Sequence, residues 1–249
     1  MSAPRFFLAP GEATLAPSVE VVLPVGVARH AVQVLRLRDA APVVLFDGRG
    51  GEYEATLAVS GRDVRARVHR HVDVEREQDG ASSLVQAIVA HDTMDAIVRK
   101  AVELGAARVE PVIAQRTQRV ADERSGRRLA RWRQIAIAAC EQCGRNRIPE
   151  IASPLALDEW TAARGDCSDV VLLHPGAKVL LRSAVCARVP TAIVVGPEGG
   201  LTDAEAAALT AAGARAVRIA AAVLRADTAA IAALAALNAL TEPARPATR

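Results

Sequence analysis

A glycine-rich run, Gly196-Pro197-Glu198-Gly199-Gly200-Leu201, lies between the apolar stretch Thr191 to Val195 and the segment Thr202-Asp203-Ala204-Glu205. Thr202 and Glu205 have the spacing of a capping box, in which each side chain satisfies a backbone N–H at the other's position, so a helix is expected to begin there. The loop is thereby placed between a buried strand and a capped helix. Gly196, Gly199 and Gly200 carry no Cβ, so this backbone can take positive φ and bring its amides close to a ligand. A tight connection without a ligand uses the same residues. The ligand-binding reading gains weight from a second run close behind, Val223-Leu224-Arg225-Ala226-Asp227-Thr228-Ala229. A third concentration of chemistry lies upstream. Between positions 116 and 147 there are arginines at 116, 119, 124, 127, 128, 131, 133, 145 and 147, and the only acids are Asp122, Glu123 and Glu141. Guanidinium groups bind phosphate bidentately and stack on bases, so Arg116, Arg127, Arg128, Arg131, Arg145 and Arg147 are candidates for a nucleic-acid surface. A solvated helix face is the alternative.

These residues need a scaffold, and the composition supplies one. At 249 residues and 51% hydrophobic content, the chain can bury one large core or two modest ones. The charged fraction of 24% and net charge of +3 argue against disorder, and the mean hydropathy of +0.17 reflects alanine rather than bulky apolar residues. No apolar window approaches the roughly 18 residues of a membrane span, and Met1 to Pro10 lacks the charged-then-apolar order of a signal peptide, so a cytoplasmic chain is expected. Disulfides among Cys140, Cys143, Cys167 and Cys186 are then not expected. Cys140 and Cys143 form C-x-x-C in a helical context and are expected on the core face with Ile135, Ala136 and Ala139. No second pair stands at ligand spacing, so no metal is expected.

The N-terminal part reads as short strands: Phe6 to Leu8, Val19 to Leu23, Ala41 to Phe46, Tyr53 to Leu57 and Val64 to Val68, with one helical stretch from His30 to Leu37. Asp47-Gly48-Arg49-Gly50-Gly51 is a hairpin turn, and the regular turn spacing suggests a small β-barrel. Residues 1–75 form this module, 76–82 a polar linker, and 83–243 a second domain. There the pattern changes to strands alternating with helices: a strand from Leu84 to Ala90, a helix capped by Asp92 and closed by Gly105, a strand from Val109 to Ile113, and a long helix from near Asp122 or Ser125. Strands at Val170 to Leu173 and Ala192 to Val195 and a last helix N-capped by Asp227 complete it. The expectation is an α/β domain with a parallel sheet and ligands at the carboxyl ends of its strands. That rule points to His174-Pro175-Gly176, to Gly196 to Gly200, and to Ile219 to Arg225.

The runs Gly196 to Glu205 and Val223 to Ala229 resemble the two C-terminal signatures of the SPOUT methyltransferase family whose members methylate N3 of a uridine in bacterial 16S rRNA. Glu141-Gln142-Cys143-Gly144-Arg145-Asn146-Arg147-Ile148-Pro149-Glu150 is similar to that family's EQSGRNRxPE segment, and Lys100 to Gly105 to its KAxELG helix. The opening, from Arg5 through His30 to Arg36, resembles its N-terminal PUA-like RNA-binding domain. The resemblance covers nearly the whole chain in the family's order. It implies a PUA-like barrel followed by a SPOUT domain in which three loops form a deep trefoil knot around S-adenosylmethionine, in a homodimer acting on 16S rRNA or the small ribosomal subunit. Leu173, His174, Gly196, Pro197, Glu198, Gly199, Gly200, Ile219, Val223 and Leu224 would then hold the cofactor.

Uracil N3 becomes nucleophilic only when its imide proton leaves, so a cation that stabilises negative charge on O2 or O4 would assist. Arg225 is the first candidate and Arg145 the second. Glu198, the only carboxylate inside the glycine loop, could accept the proton or hold a loop amide. This chain departs from the family pattern at the third loop, which reads Ile219-Ala220-Ala221-Ala222 where the family has a glycine and an arginine. It also has Asp227 in place of a glutamate and Cys143 in place of a serine. These departures keep open an RNA-binding protein with a decayed methyltransferase domain, and a ribose 2′-O methyltransferase of the same fold is a third reading.

Overall fold

The computed structural model describes residues 3–61, 63–77, 82–117, 125–163, 169–184 and 191–241. Tertiary contacts divide the chain into two compact units, residues 1–77 with 140–148, and residues 78–139 with 149–249.

In the first unit the strands are β1 (Arg5–Phe7), β2 (Glu20–Val22), β3 (Pro42–Phe46), β4 (Glu52–Ser60) and β5 (Asp63–Val72), in the sheet order β1-β3-β4-β5-β2. β1 pairs parallel to β3, and the other pairs are antiparallel. Alternation decides which face is buried: Val64, Ala66 and Val68 of β5 point into the core, where they join Phe6, Val21, Leu23, Val43, Leu45 and Leu57. The β3–β4 connection turns through Gly48, Gly50 and Gly51, all at positive φ. The helical stretch starts earlier than the sequence pattern suggests: α1 (Val25–Arg29) follows Pro24, and a π-turn spans His30–Val34. Val25, Gly26 and Val27 are poor helix formers. Pro24, whose φ is already close to helical at −51°, sets the start, and its carbonyl accepts the Ala28 amide at 2.9 Å.

The second unit is an eight-stranded parallel sheet. In chain order its elements are β6 (Ser83–Ala87), α2 (His91–Glu103), β7 (Arg108–Ile113), α3 (Ser125–Cys143, whose last residues belong to the first unit), β8 (Glu150–Ile151), β9 (Leu155–Ala156), α4 (Leu157–Ala163), β10 (Asp169–Leu173), β11 (Val179–Leu180), α5 (Leu181–Ala184), β12 (Thr191–Val195), α6 (Asp203–Ala211), β13 (Arg215–Arg218) and α7 (Ala226–Thr241). The strand order is β11-β13-β10-β12-β6-β7-β8, with β9 also paired to β7. Every residue of β12 is buried, as an apolar, β-branched strand covered on both faces requires.

Two expected caps are not where the sequence pattern put them. Ala90 occupies the N-cap position of α2, and Asp92 lies exposed in its first turn. Helix α7 begins at Ala226, so Asp227 lies inside the first turn, and its Oδ1 accepts the neighbouring Thr228 amide at 2.7 Å. Carboxylates within a first turn still complement the helix dipole, which is why sequence alone does not separate the two placements. The Thr202–Glu205 capping box at α6 is present with both of its hydrogen bonds.

Candidate active site

β13, β10 and β12 are adjacent and parallel, so their carboxyl ends open on one edge of the sheet. The loops that leave them enclose a cavity of about 840 Å³. Its lining includes Leu173, His174, Gly196, Pro197, Glu198, Gly199, Gly200, Ile219, Val223, Leu224 and Arg225. It also includes Pro175, Ala220 and Ala222, to which the strand-end rule pointed, and residues not among the expected cofactor contacts: Thr93, Val195, Leu201, Val217, Arg218, Ala226, Asp227 and Ala229. Val195, Arg218 and Val217 are the last residue of β12 and the last two of β13, and could have been found by extending the strand-end rule up to two residues into each strand. Thr93 carries no such signal. It reaches the cavity because α2 follows β6, the strand beside β12.

The glycine loop is shaped at three points. Gly200 alone of its glycines has a positive φ, at 71°, and its amide donates to the Pro197 carbonyl at 2.8 Å. Gly196 and Gly199 have ordinary φ values, so the freedom of φ that three glycines offer is used at Gly200 alone of them. For these two, space is the reason for glycine: a Cβ on Gly196 would lie 3.1 Å from the Leu201 amide nitrogen, and one on Gly199 would lie 3.3 Å from Arg116 Cβ. The Glu198 carboxylate accepts the Ala90 amide at 3.0 Å, which ties the loop to the start of α2. At the second loop the His174 amide donates to the Val217 carbonyl at 2.9 Å, and His174 Nδ1 accepts the Gly176 amide at 3.2 Å. Arg225 ends the third loop with an exposed side chain that has no ion-pair partner among the described residues, while its carbonyl accepts the Ala229 amide at 2.8 Å.

The arginines of the basic stretch fare differently from one another. Arg119 and Arg124, with Asp122 and Glu123, lie outside the described residues. Arg116 donates to the Gly199 and Leu201 carbonyls at 3.0 and 3.4 Å. Arg131 pairs with the buried Asp95 through Nε at 2.7 Å and Nη2 at 2.5 Å, a contact that raises the guanidinium's pKa further. Arg145 is buried and pairs with Glu77, and Arg147 bonds Glu75 at 2.8 Å, which lowers the Glu75 pKa. Arg145 lies in the first unit and is not among the residues that line the cavity of the second. Arg127 is exposed and Arg128 half-buried, and neither has a carboxylate partner among the described residues. The stretch is therefore less of a bare basic patch than local charge counting suggests, because its counter-charges come from Glu75, Glu77 and Asp95, distant in sequence. Asp95 also lies close to His91 and Asp92, a grouping with ligating side chains that the search for spaced pairs missed, and Arg131 already holds its carboxylate.

The C-x-x-C pair separates as well. Cys140 is buried, and desolvation pushes its thiol up to about 12, whereas Cys143 is exposed rather than on the core face. Gly144 ends the helix at φ +91°, and the chain turns there. The neighbouring Glu141 accepts the Phe7 amide at 3.0 Å, and burial raises its pKa.

The RNA methyltransferase domain family matches residues 76–238, and the RNA methyltransferase PUA domain family matches residues 23–67. Among curated proteins, the ribosomal RNA small subunit methyltransferase E of Mycobacterium tuberculosis is 33% identical, over 85% of this chain and 83% of its own length. The protein of that name from Synechocystis is 30% identical, over 86% of this chain and 71% of its own length. Among solved structures, a Legionella pneumophila methyltransferase with bound S-adenosylmethionine superposes with a TM-score of 0.90 at 32% identity, covering 96% of this chain and 98% of that one. The ribosomal RNA small subunit methyltransferase E of Neisseria gonorrhoeae, bound to S-adenosylmethionine, gives 0.88 at 32% identity with the same coverage. An RNA methyltransferase PUA domain precedes a parallel α/β RNA methyltransferase domain, and no described helix is long and apolar enough to cross a membrane. With a domain match across most of its length and relatives at this identity, the chain belongs to the ribosomal RNA small subunit methyltransferase E family of RNA methyltransferases.

Proposed function

We propose that this protein transfers a methyl group from S-adenosylmethionine to N3 of a uridine in the 16S rRNA of the small ribosomal subunit, acting as a homodimer. The observation that carries the reading is the cavity walled by three loops at adjacent strand ends, in a chain whose relatives at 32% identity hold that cofactor. A volume of about 840 Å³ suits a ligand of this size, since small-molecule sites commonly run from about 300 to 1,000 Å³. The donor set fits too: glycine backbone and apolar side chains for the body of the ligand, with carboxylates at Glu198 and Asp227 for a cationic centre. Leu173, His174, Gly196 to Gly200, Ile219, Val223 and Leu224 would hold it. Residues 1–75 are read as the RNA-binding domain, 76–82 as a linker, and 83–243 as the methyltransferase domain.

S-adenosylmethionine supplies the activated methyl carbon, so the protein's work is positioning and charge stabilisation. The exposed Arg225 guanidinium at the cavity is the group best placed to stabilise negative charge on uracil O2 or O4 as the N3 proton leaves. Glu198 already accepts the Ala90 amide through Oε1, which favours its role in bracing the loop over that of base. Arg145, held by Glu77 in the other unit, is assigned to holding the segment 140–148 against the barrel. RNA contacts fall first to Arg127 and Arg128.

The test is nucleoside analysis of 16S rRNA from cells lacking the gene, with methylation by the purified protein as complement. Loss of N3-methyluridine, restored by the protein with S-adenosylmethionine, is the expected result. An unchanged profile rejects the assignment, and a missing ribose 2′-O-methyl mark would select the related chemistry. Absence of cofactor binding at millimolar ligand would point to a decayed domain, the reading that Ala220 and Ala222 in the cavity wall keep alive.

A further inference from the structure

Arg116 stands in a tight turn after β7, in which the Thr117 amide donates to the Ala114 carbonyl and Thr117 Oγ1 accepts the Ala114 amide, each at 3.0 Å. From there its Nη1 reaches two carbonyls of the glycine loop, Gly199 at 3.0 Å and Leu201 at 3.4 Å. The adjacent Gln115 amide donates to Glu205 Oε1 at 2.8 Å, and Glu205 Oε2 accepts the Thr202 amide at 2.8 Å. Two peptide planes of the loop are thus held at both ends. The 199–200 peptide has its oxygen on Arg116 and its N–H on the Pro197 carbonyl. The 201–202 peptide has its oxygen on Arg116 and its N–H on Glu205. The arginine stem also lies against the loop, since a Cβ on Gly199 would fall 3.3 Å from Arg116 Cβ.

We infer that Arg116 is a positioning residue for the cofactor loop and not a phosphate contact: it locks the orientation of the 199–200 and 201–202 peptides, and so fixes which backbone groups face the ligand. This rests on the reading of the cavity as the S-adenosylmethionine site. A guanidinium suits the task because the two N–H groups of its charged Nη1 reach two carbonyls at once, and charge-assisted hydrogen bonds are stronger than neutral ones. The effect belongs on cofactor binding, because the bonded carbonyls lie in the cavity wall.

The test compares wild type, Arg116→Ala and Arg116→Lys. Calorimetry with S-adenosylmethionine should show Kd raised roughly ten-fold in Arg116→Ala, with Arg116→Lys recovering most of the loss. KM for the cofactor should rise in parallel, while KM for rRNA and the salt dependence of rRNA binding stay unchanged. Hydrogen exchange on the ligand-free proteins should show the Gly200 and Thr202 amides exchanging faster in Arg116→Ala, with the amides of β10 and β12 still protected. If wild type binds the cofactor while Arg116→Ala keeps normal affinity and loses about one unit of salt slope, Arg116 is a phosphate contact and the inference is overturned. If wild type binds no cofactor, the functional reading fails separately, and the Gly200 and Thr202 exchange rates decide the brace: faster in the variant retains it, unchanged rejects it. If Arg116→Ala does not fold, the same measurements on Arg116→Lys and Arg116→Gln decide the question.

Discussion

The cavity loops and the arginine-rich stretch from 116 to 147 satisfy their polar groups in opposite ways. The loops do so mostly over short sequence separations, through the Pro197–Gly200 turn, the Thr202–Glu205 box and the His174–Gly176 contact, with Glu198 and Arg116 as longer braces. The arginines find carboxylates 36 to 72 positions away: Arg131 with Asp95, Arg145 with Glu77, Arg147 with Glu75. A loop whose shape is local can be read from its residue types. A cation's availability to an outside ligand depends on which carboxylate the fold delivers to it.

The largest effect expected from this contrast is at Arg225, the loop arginine without a described partner. Arg225→Lys keeps the charge but loses the planar fork, so kcat should fall on the order of 10²–10³, the cost of an oxyanion donor, with cofactor affinity little changed. Single-turnover kinetics and calorimetry separate the two. Near-normal kcat with weakened rRNA binding would instead make Arg225 a phosphate contact.

Within the arginine stretch the expectation divides. Replacing Arg127 and Arg128 with alanine should flatten the log–log salt dependence of rRNA binding by about two units, roughly one per lost phosphate contact. Arg131→Ala should leave the slope alone and lower the unfolding midpoint, because Asp95 is left as a buried carboxylate without its cation. Asp95→Asn in the Arg131→Ala background should then recover part of that stability. Equal changes of slope for all three arginines would mean that the Asp95 pair does not withhold Arg131 from RNA.

Smaller effects come from a network in the first unit and from the cap of α6. Burial pushes the Glu52 carboxyl up, but hydrogen bonds from Arg5 and Arg76 outweigh it and hold the pKa below its ordinary value. A carboxyl depressed in the folded state adds stability above its unfolded pKa of about 4.3 and loses it as pH falls through the folded value. Urea unfolding between pH 3 and 6 should therefore show a steeper acid loss for wild type than for Glu52→Gln. Thr202→Ala removes one half of the capping box and should cost about 1 kcal/mol at neutral pH, without altering the salt dependence of rRNA binding.

Much of the scaffold was legible because it follows from local rules. Full burial of Thr191 to Val195 follows from a β-branched strand, and the start of α6 from Thr202 and Glu205. Legibility failed where two placements satisfy the same local preference. Asp92 and Asp227 suit a cap as well as a first turn, and Val25 to Val27 became helical through Pro24, with Val27 alone of the three packed against the core. Cys143 shares the C-x-x-C spacing with Cys140 yet stays exposed, as the last residue of α3 before the chain turns at Gly144.

By itself the sequence determined the alternation of strands and helices, the three loops at strand ends, and the family signatures they carry, because periodicity, glycine content and capping chemistry act within a few residues. The tertiary structure decided that those loops share one cavity, since β13, β10 and β12 become neighbours only when the sheet assembles out of chain order. It also decided which arginines are already held: Asp95, Glu75 and Glu77 are brought to Arg131, Arg147 and Arg145 by folding, and an ion pair forms according to distance in space, whatever the separation along the chain.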